Sequence, residues 1–175
     1  NQAKGKLTRI DIAMDDYDGD VLLFDNLRND IIRGNIISKW RDSTEIIKRT
    51  TEEGEIIGHT INVGSGASRI YMRIYNKGLE QNINKKWIRL ELEIKKEYAE
   101  KMQTLVTTEE IGPLVSKILN NYIRVVEKDG NKNKSRYKTK EYWLNIVKTI
   151  EKQKLTTRAE EKTIQDTKDW ISKQV

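Results

Sequence analysis

An α+β fold is what this sequence predicts: an antiparallel sheet with helices packed on one face, any active site on the other, and a helical C-terminal part. Three observations carry that expectation. Strand-length segments in the first half alternate apolar and polar residues, glycine-bearing turns join them, and beyond residue 96 the apolar spacing becomes helical.

The elements follow in order. KLTRIDIAMDD puts Ile10, Ile12 and Met14 on one face and Arg9, Asp11, Ala13 and Asp15 on the other, which predicts a strand over 7–16 closed by the turn-rich DDYDGD. VLLFDNLRNDIIRGN has helical spacing (Leu22, Leu23, Leu27, Ile31, Ile32) and stops at Gly34, a C-terminal cap. Strands are expected at 36–40, 45–50 and 56–63, with Glu53 and Gly54 at a hairpin turn and Gly64 and Gly66 marking the next. SRIYMRIYNK then alternates Ile70, Met72 and Ile74 with Tyr71, Arg73 and Tyr75. GLEQNINKK reads as a helical turn or loop, and WIRLELEIKK as another alternating strand.

EYAEKMQTLVTT and EEIGPLVSKILNNYIRVVE predict helices, the second entered near Pro113. DGNKNKSRYKTK is a polar loop carrying Lys132, Lys134, Arg136, Lys138 and Lys140. EYWLNIVKTIEK and TRAEEKTIQDTKDWISKQV predict two closing amphipathic helices. Trp87, Trp143 and Trp170 are expected in the core. No repeat or boundary interrupts the chain, so 1–175 reads as one domain, sheet-rich over 1–96 and helical over 97–175.

A chain of 175 residues buries roughly 70% of the surface its unfolded form exposes, so one core suffices. The absence of cysteine and the single histidine exclude disulfides, thiolate metal sites, cysteine nucleophiles and histidine-rich metal centres. Any metal would need mostly oxygen ligands. A net charge of +6 and a pI near 9.3 fit a polyanionic partner without requiring one. No apolar run approaches the roughly 20 residues of a membrane span and no signal-peptide pattern opens the chain, so a cytoplasmic location is expected.

Three strands share one property: each has an apolar face and an ionisable face. Strand 7–16 offers Asp11 and Asp15, strand 68–77 offers Tyr71, Arg73, Tyr75 and Lys77, and strand 86–95 offers Arg89, Glu91 and Glu93. Once helices cover the apolar side, the ionisable groups converge on the open side. A solvated face with cross-strand ion pairs accounts for such a pattern. Asp is nonetheless poorly suited to strands, so two at i and i+4 ask for a nearby cation. If the face is a site, Asp11, Glu91 and Glu93 suit Mg²⁺ or Mn²⁺, with Asp15 and Glu80 as rival ligands. A tyrosine beside them, its phenolate favoured by Arg73 and Lys77, would serve as a nucleophile in phosphoryl transfer.

LTRIDIAMDDYDG, GHTINVGSGASRIYMRIYNKGLEQ, WIRLELEIK and KTIQDTKDWISKQV follow one another in an order that resembles the trans-acting Rep family. Its members are rolling-circle replication initiators of small Gram-positive plasmids, with related relaxases of integrative conjugative elements and replication proteins of filamentous phages. The most specific likeness is R-x-Y-x-K-x-x-E, here Arg73, Tyr75, Lys77 and Glu80, preceded by G-S-x-x-S, here Gly64, Ser65 and Ser68. The resemblance implies a single catalytic tyrosine that nicks one DNA strand at an origin, stays joined to the 5′ phosphate and leaves a 3′ hydroxyl. It places that tyrosine at Tyr75, with Tyr71 as rival, and a metal-dependent core with acidic ligands.

Ser65 and Ser68 are then expected to touch DNA, as are Lys132, Lys134 and Arg136, although a lysine-rich loop is more often a solvated loop than a DNA clamp. Single-stranded or cruciform origin DNA, a second copy of the chain and a helicase are the implied partners. His59, in phase with Ile61 and Val63, is expected to be structural. Gly66 stands where family members often carry Arg or Lys, which removes one expected phosphate contact. Family proteins are longer, so the chain resembles an excised catalytic core. A DNA-binding module without catalysis, and a nuclease using water with Tyr75 stacked on a base, are the competing readings.

Overall fold

The computed structural model describes residues 5–108 and 110–152. Alternation written into the sequence becomes a five-stranded antiparallel sheet of spatial order β1-β6-β5-β4-β3. Its strands are β1 (Arg9–Asp16), β3 (Ser43–Arg49), β4 (Ile56–Val63), β5 (Ile70–Asn76) and β6 (Ile88–Lys95). Between and after them come α1 (Phe24–Ile32), α2 (Lys77–Glu80), α3 (Glu97–Thr108), α4 (Ile111–Tyr122) and α5 (Glu141–Lys152). Three further strands, β2 (Ile36–Ser38), β7 (Ile123–Glu127) and β8 (Lys138–Thr139), form a second sheet of order β2-β7-β8. The α+β class with an antiparallel sheet is as the sequence predicts.

Helices cover the apolar face of the large sheet. Met14, Ile61, Val63, Met72, Ile74, Leu90, Leu92 and Ile94 point into one core with Leu27 and Ile31 of α1, Met102 of α3, Leu114 and Leu119 of α4, and Trp143, Ile146 and Ile150 of α5. Burial of a side chain of this size is worth about 1.5–3 kcal/mol, so this face holds the fold together. His59 lies on the core side, edge-on to Phe24 at 4.8 Å and 2.7 Å from Glu45, which Arg28 also grips. Its role there is structural, as its phase with Ile61 and Val63 implies.

The chain after α4 departs from expectation. Helical spacing through Glu127 predicts one long helix, but the backbone turns extended at Ile123 (φ −148°, ψ 142°) and continues as β7 against β2. Ile123, Val125 and Val126 are almost wholly buried, and a strand buried on both faces shows no alternation to distinguish it from a helix. Residues 36–38 accordingly pair with β7 and not with the large sheet, and part of the polar loop becomes β8. The helix expected over 156–175 and Trp170 lie outside the described residues.

Two buried polar anchors fix the periphery. Asp30, 4% exposed, accepts from Asn35 Nδ2 at 3.0 Å, Lys140 Nζ at 2.7 Å and Tyr142 Oη at 2.7 Å, tying α1 to the start of α5. Burial pushes its carboxyl up, but these donors outweigh burial and hold it below the usual range. Trp40 donates its indole N–H to the Ile70 carbonyl at 2.7 Å. Gly64 (φ +86°) runs so close beneath that ring that an added Cβ would sit 2.6 Å from Trp40 Cδ1, so the turn before β5 needs glycine at this position on two counts. No helix among the described residues is long and apolar enough to cross a membrane.

Candidate active site

Strand register places the ionisable residues in rows across the open face. Asp11 pairs with Glu93, which pairs with Tyr71; Ala13 pairs with Glu91, Glu91 with Arg73, and Arg73 with Asn62; Asp15 pairs with Arg89, Arg89 with Tyr75, and Tyr75 with Thr60. One row further on, the Trp87 carbonyl accepts from the Lys77 and Gly78 N–H groups at 2.7 and 3.0 Å. The predicted set of Tyr75, Arg73, Lys77, Asp11, Glu91 and Glu93 thus shares one surface.

Tyr75 donates its phenol O–H to Glu91 Oε2 at 3.2 Å, while Arg73 Nη2 donates to Glu91 Oε1 at 3.1 Å. Burial, reinforced by the Glu91 charge, pushes the Tyr75 phenol up despite Arg89 beside it. A phenolate stabilised by Arg73 and Lys77, as the sequence suggests, is therefore not the resting form: Arg73 turns to Glu91, and Lys77 pairs with Glu80 while lying 5.7 Å from the Tyr75 ring centre. Arg73 also keeps a buried Nε without a partner, a donor suited to an anion.

Two rows along, Tyr71 is 8% exposed and donates to Glu93 Oε2 at 3.0 Å. Glu93 is itself buried and matched by Arg9 at 2.8 Å, Arg73 at 3.7 Å and Lys95. Arg9 also grips Asp11 at 2.6 Å. Burial and the hydrogen bond to Glu93 push the Tyr71 phenol up as well. Of the rival ligands, Asp15 is held in a two-pronged pair by Arg89 (2.7 and 2.8 Å) with Trp87 Nε1 at 2.6 Å, and Glu80 by Lys77.

Oxygen donors on one face suit a hard divalent ion in chemistry. In arrangement they do not form a cage: among the described residues no three His, Asp or Glu side chains are gathered for one ion. Arg9 stands against both Asp11 and Glu93, so gathering them requires that guanidinium to move aside.

Ser65 and Ser68 lie in the turn that Lys95 fastens by donating to the Gly66 carbonyl at 2.6 Å, and Ser65 Oγ accepts from the Ala67 N–H. They stand before the first residue of β5, toward the Tyr71 end. Lys132, Lys134 and Arg136 belong instead to the β7–β8 connection, where Arg124 donates to the Lys134 and Ser135 carbonyls; among the described residues, the hydrogen bonds of this loop do not join it to the large sheet. Sequence reasoning passed over Arg9 and Lys95 as partners of the acidic residues, although one more step of the same alternation reaches both. Trp87, expected in the core, is half-buried on this face with its ring 5.1 Å from Tyr17. Its parity with Arg89 and Glu91 was the signal.

Fold and face together define an α+β protein that lines up phenols, guanidinium groups and carboxylates on the bare side of an antiparallel sheet. Residues 5–175 match the family model described as replication initiation factor, Rep_trans, and the chain belongs to that family. It is 28% identical over 179 residues, 97% of this chain and 51% of the other, to the Bacillus subtilis (strain 168) protein named "Putative DNA relaxase NicK". It also matches the structure of a rolling circle replication initiator protein from Geobacillus stearothermophilus, with a TM-score of 0.75, 27% identity, and coverage of 83% of this chain and 56% of that one. The chain spans about half the length of these relatives.

Proposed function

We propose that this chain is the nicking core of a rolling-circle replication initiator, cutting and rejoining one strand of origin DNA through a tyrosine. The observation that carries the reading is the Tyr75 phenol, donating to Glu91 beside an arginine with an unpaired buried donor. Tyr75 Oη attacks the phosphorus, the phenol proton passes to Glu91, and the P–O3′ bond breaks. The 5′ phosphate is left on Tyr75, and the 3′ oxygen takes a proton from water to become a hydroxyl. Arg73 and Arg89 flank the phenol and face the charge that develops on phosphate oxygens. Rejoining is the same path reversed.

A divalent ion, Mg²⁺ or Mn²⁺, would be held by Asp11 and Glu93 with Glu91 only once Arg9 moves aside, and would then supply further charge neutralisation. Origin DNA is the substrate in this reading, with a second copy of the chain and a helicase as partners and the cytoplasm as its place of action. A relaxase of a conjugative element would use the same chemistry, as would a phage replication protein. The test is incubation with 3′-labelled single-stranded origin DNA and Mn²⁺, the label lying on the fragment that the 5′-phosphotyrosine would retain. A protein–DNA adduct that survives SDS is expected; free cleaved DNA without adduct would assign the cut to water, and no cleavage at all would leave only a binding module.

A further inference from the structure

Beyond the Tyr75 row, the open face ends in an aromatic pair. Tyr17, the first residue after β1, is 58% exposed and lies with its ring 5.1 Å from that of Trp87, the planes tilted by 34°. Both continue the alternation of their strands, Tyr17 after Asp15 and Trp87 before Arg89, so both belong to the same face as Tyr75. On strand geometry, Trp87 is about 7 Å along β6 from Arg89 and Tyr75 about 5 Å across from Arg89. The pair therefore occupies the row next to that of the phenol.

The pair is also held in place. Asp16, buried at 8% exposure, accepts from the Gly19, Val21 and Leu22 N–H groups at 3.0, 2.8 and 2.7 Å, which pins the turn that carries Tyr17. Trp87 is fixed by its indole bond to Asp15, and the Arg89 guanidinium lies 5.7 Å from its ring centre. An exposed phenol ring on a pinned turn, backed by a tryptophan, leaves aromatic surface open to solvent without the mobility that would make ordering it costly.

We propose that Tyr17 and Trp87 form a base-stacking platform for single-stranded DNA, taking the base next to the phosphate that Tyr75 attacks. The occupant is a base and not a phosphate. Asp18 and Asp20, exposed on the same turn, repel the backbone, whereas stacking needs only the π face that every base has. Duplex DNA hides those faces, so the platform selects unpaired strands. The position of the stacked base, set by the platform beside Tyr75, helps choose which phosphate is presented to the phenol. This rests on the nicking reading only for the identity of that phosphate; the stacking itself does not need it.

The test uses the Tyr75→Phe protein, so that no covalent product forms, and two fluorescein-labelled probes of equal length: oligodeoxythymidylate and an abasic deoxyribose-phosphate oligomer. The parent prefers the base-bearing probe. Tyr17→Ala weakens oligodeoxythymidylate binding about tenfold, leaves abasic binding and the salt dependence unchanged, and Tyr17→Phe restores the preference. Trp87→Ala acts in the same direction, and because Tyr17 is exposed its variants report even where loss of Trp87 unfolds the protein. Equal discrimination between the two probes in the parent and in Tyr17→Ala overturns the platform. Adduct formation with Tyr75 intact is measured separately: its absence alongside a Tyr17-dependent base preference overturns the nicking reading and leaves the platform standing.

Discussion

Tyr71 and Tyr75 stand four residues apart on one strand, face the same way and each donate to a glutamate, yet their surroundings differ. Tyr71 is buried against a buried Glu93 that three cations neutralise. Tyr75 is half-exposed at the strand's end, against a Glu91 that, among the described residues, Arg73 alone matches. Ala13, the β1 neighbour of Glu91, is small and uncharged, whereas the β1 neighbour of Glu93 is Asp11 with Arg9 beside it. One end of the face is closed by its own ion pairs. The other keeps a carboxylate able to take a proton and a phenol that a substrate can reach.

Substitutions that break this contrast rank by effect. Tyr75→Phe removes the oxygen proposed to attack and is expected to abolish the SDS-resistant adduct. Tyr71→Phe is expected to retain the adduct, with the loss confined to stability, about 1.5–3 kcal/mol for a hydrogen bond to a charged group, read from urea unfolding. Glu91→Gln removes the proposed proton acceptor and is expected to slow adduct formation about 10²–10⁴-fold, measured as single-turnover kinetics on folded protein. Asp30→Ala, far from either phenol in function, leaves Lys140 and Tyr142 without their buried acceptor. Breaking a buried pair of this kind costs about 3–5 kcal/mol, and cleavage per folded molecule is expected to persist.

The smallest effect is on pH dependence. Both phenols are raised in the folded protein, so their contribution to stability is complete below the unfolded value of about 10 and is lost as pH rises through the folded values. Alkaline unfolding is expected to begin at higher pH in Tyr71→Phe,Tyr75→Phe relative to its own neutral stability than in the parent. An identical alkaline profile in the two proteins would remove the environment assigned to the phenols.

How much of this the sequence reveals depends on the element. The alternation of Ile70, Met72 and Ile74 against Tyr71, Arg73 and Tyr75 is enough to define β5 and both of its faces, and the same holds for β1 and β6. Register is not in any one strand: that Tyr71 meets Glu93 and Tyr75 meets Glu91 follows from how β5 and β6 are joined through α2 and the turn after it. The second sheet was hidden because Ile123, Val125 and Val126 are buried on both faces, and because β8 is only two residues long. Trp87 has the parity of Arg89 and Glu91, which assigns it to the open face, but its large apolar ring suggests the core, so size and periodicity point opposite ways at this position.

The attacking oxygen can be located directly, because Arg69, Arg73 and Lys77 divide the strand for trypsin so that Tyr71 and Tyr75 fall on different peptides, 70–73 and 74–77. Mass spectrometry of the nuclease-trimmed, trypsin-digested adduct is expected to find the phosphonucleotide on peptide 74–77. Finding it on peptide 70–73 would contradict the assignment of Tyr75 and place the chemistry at the end of the face described here as closed.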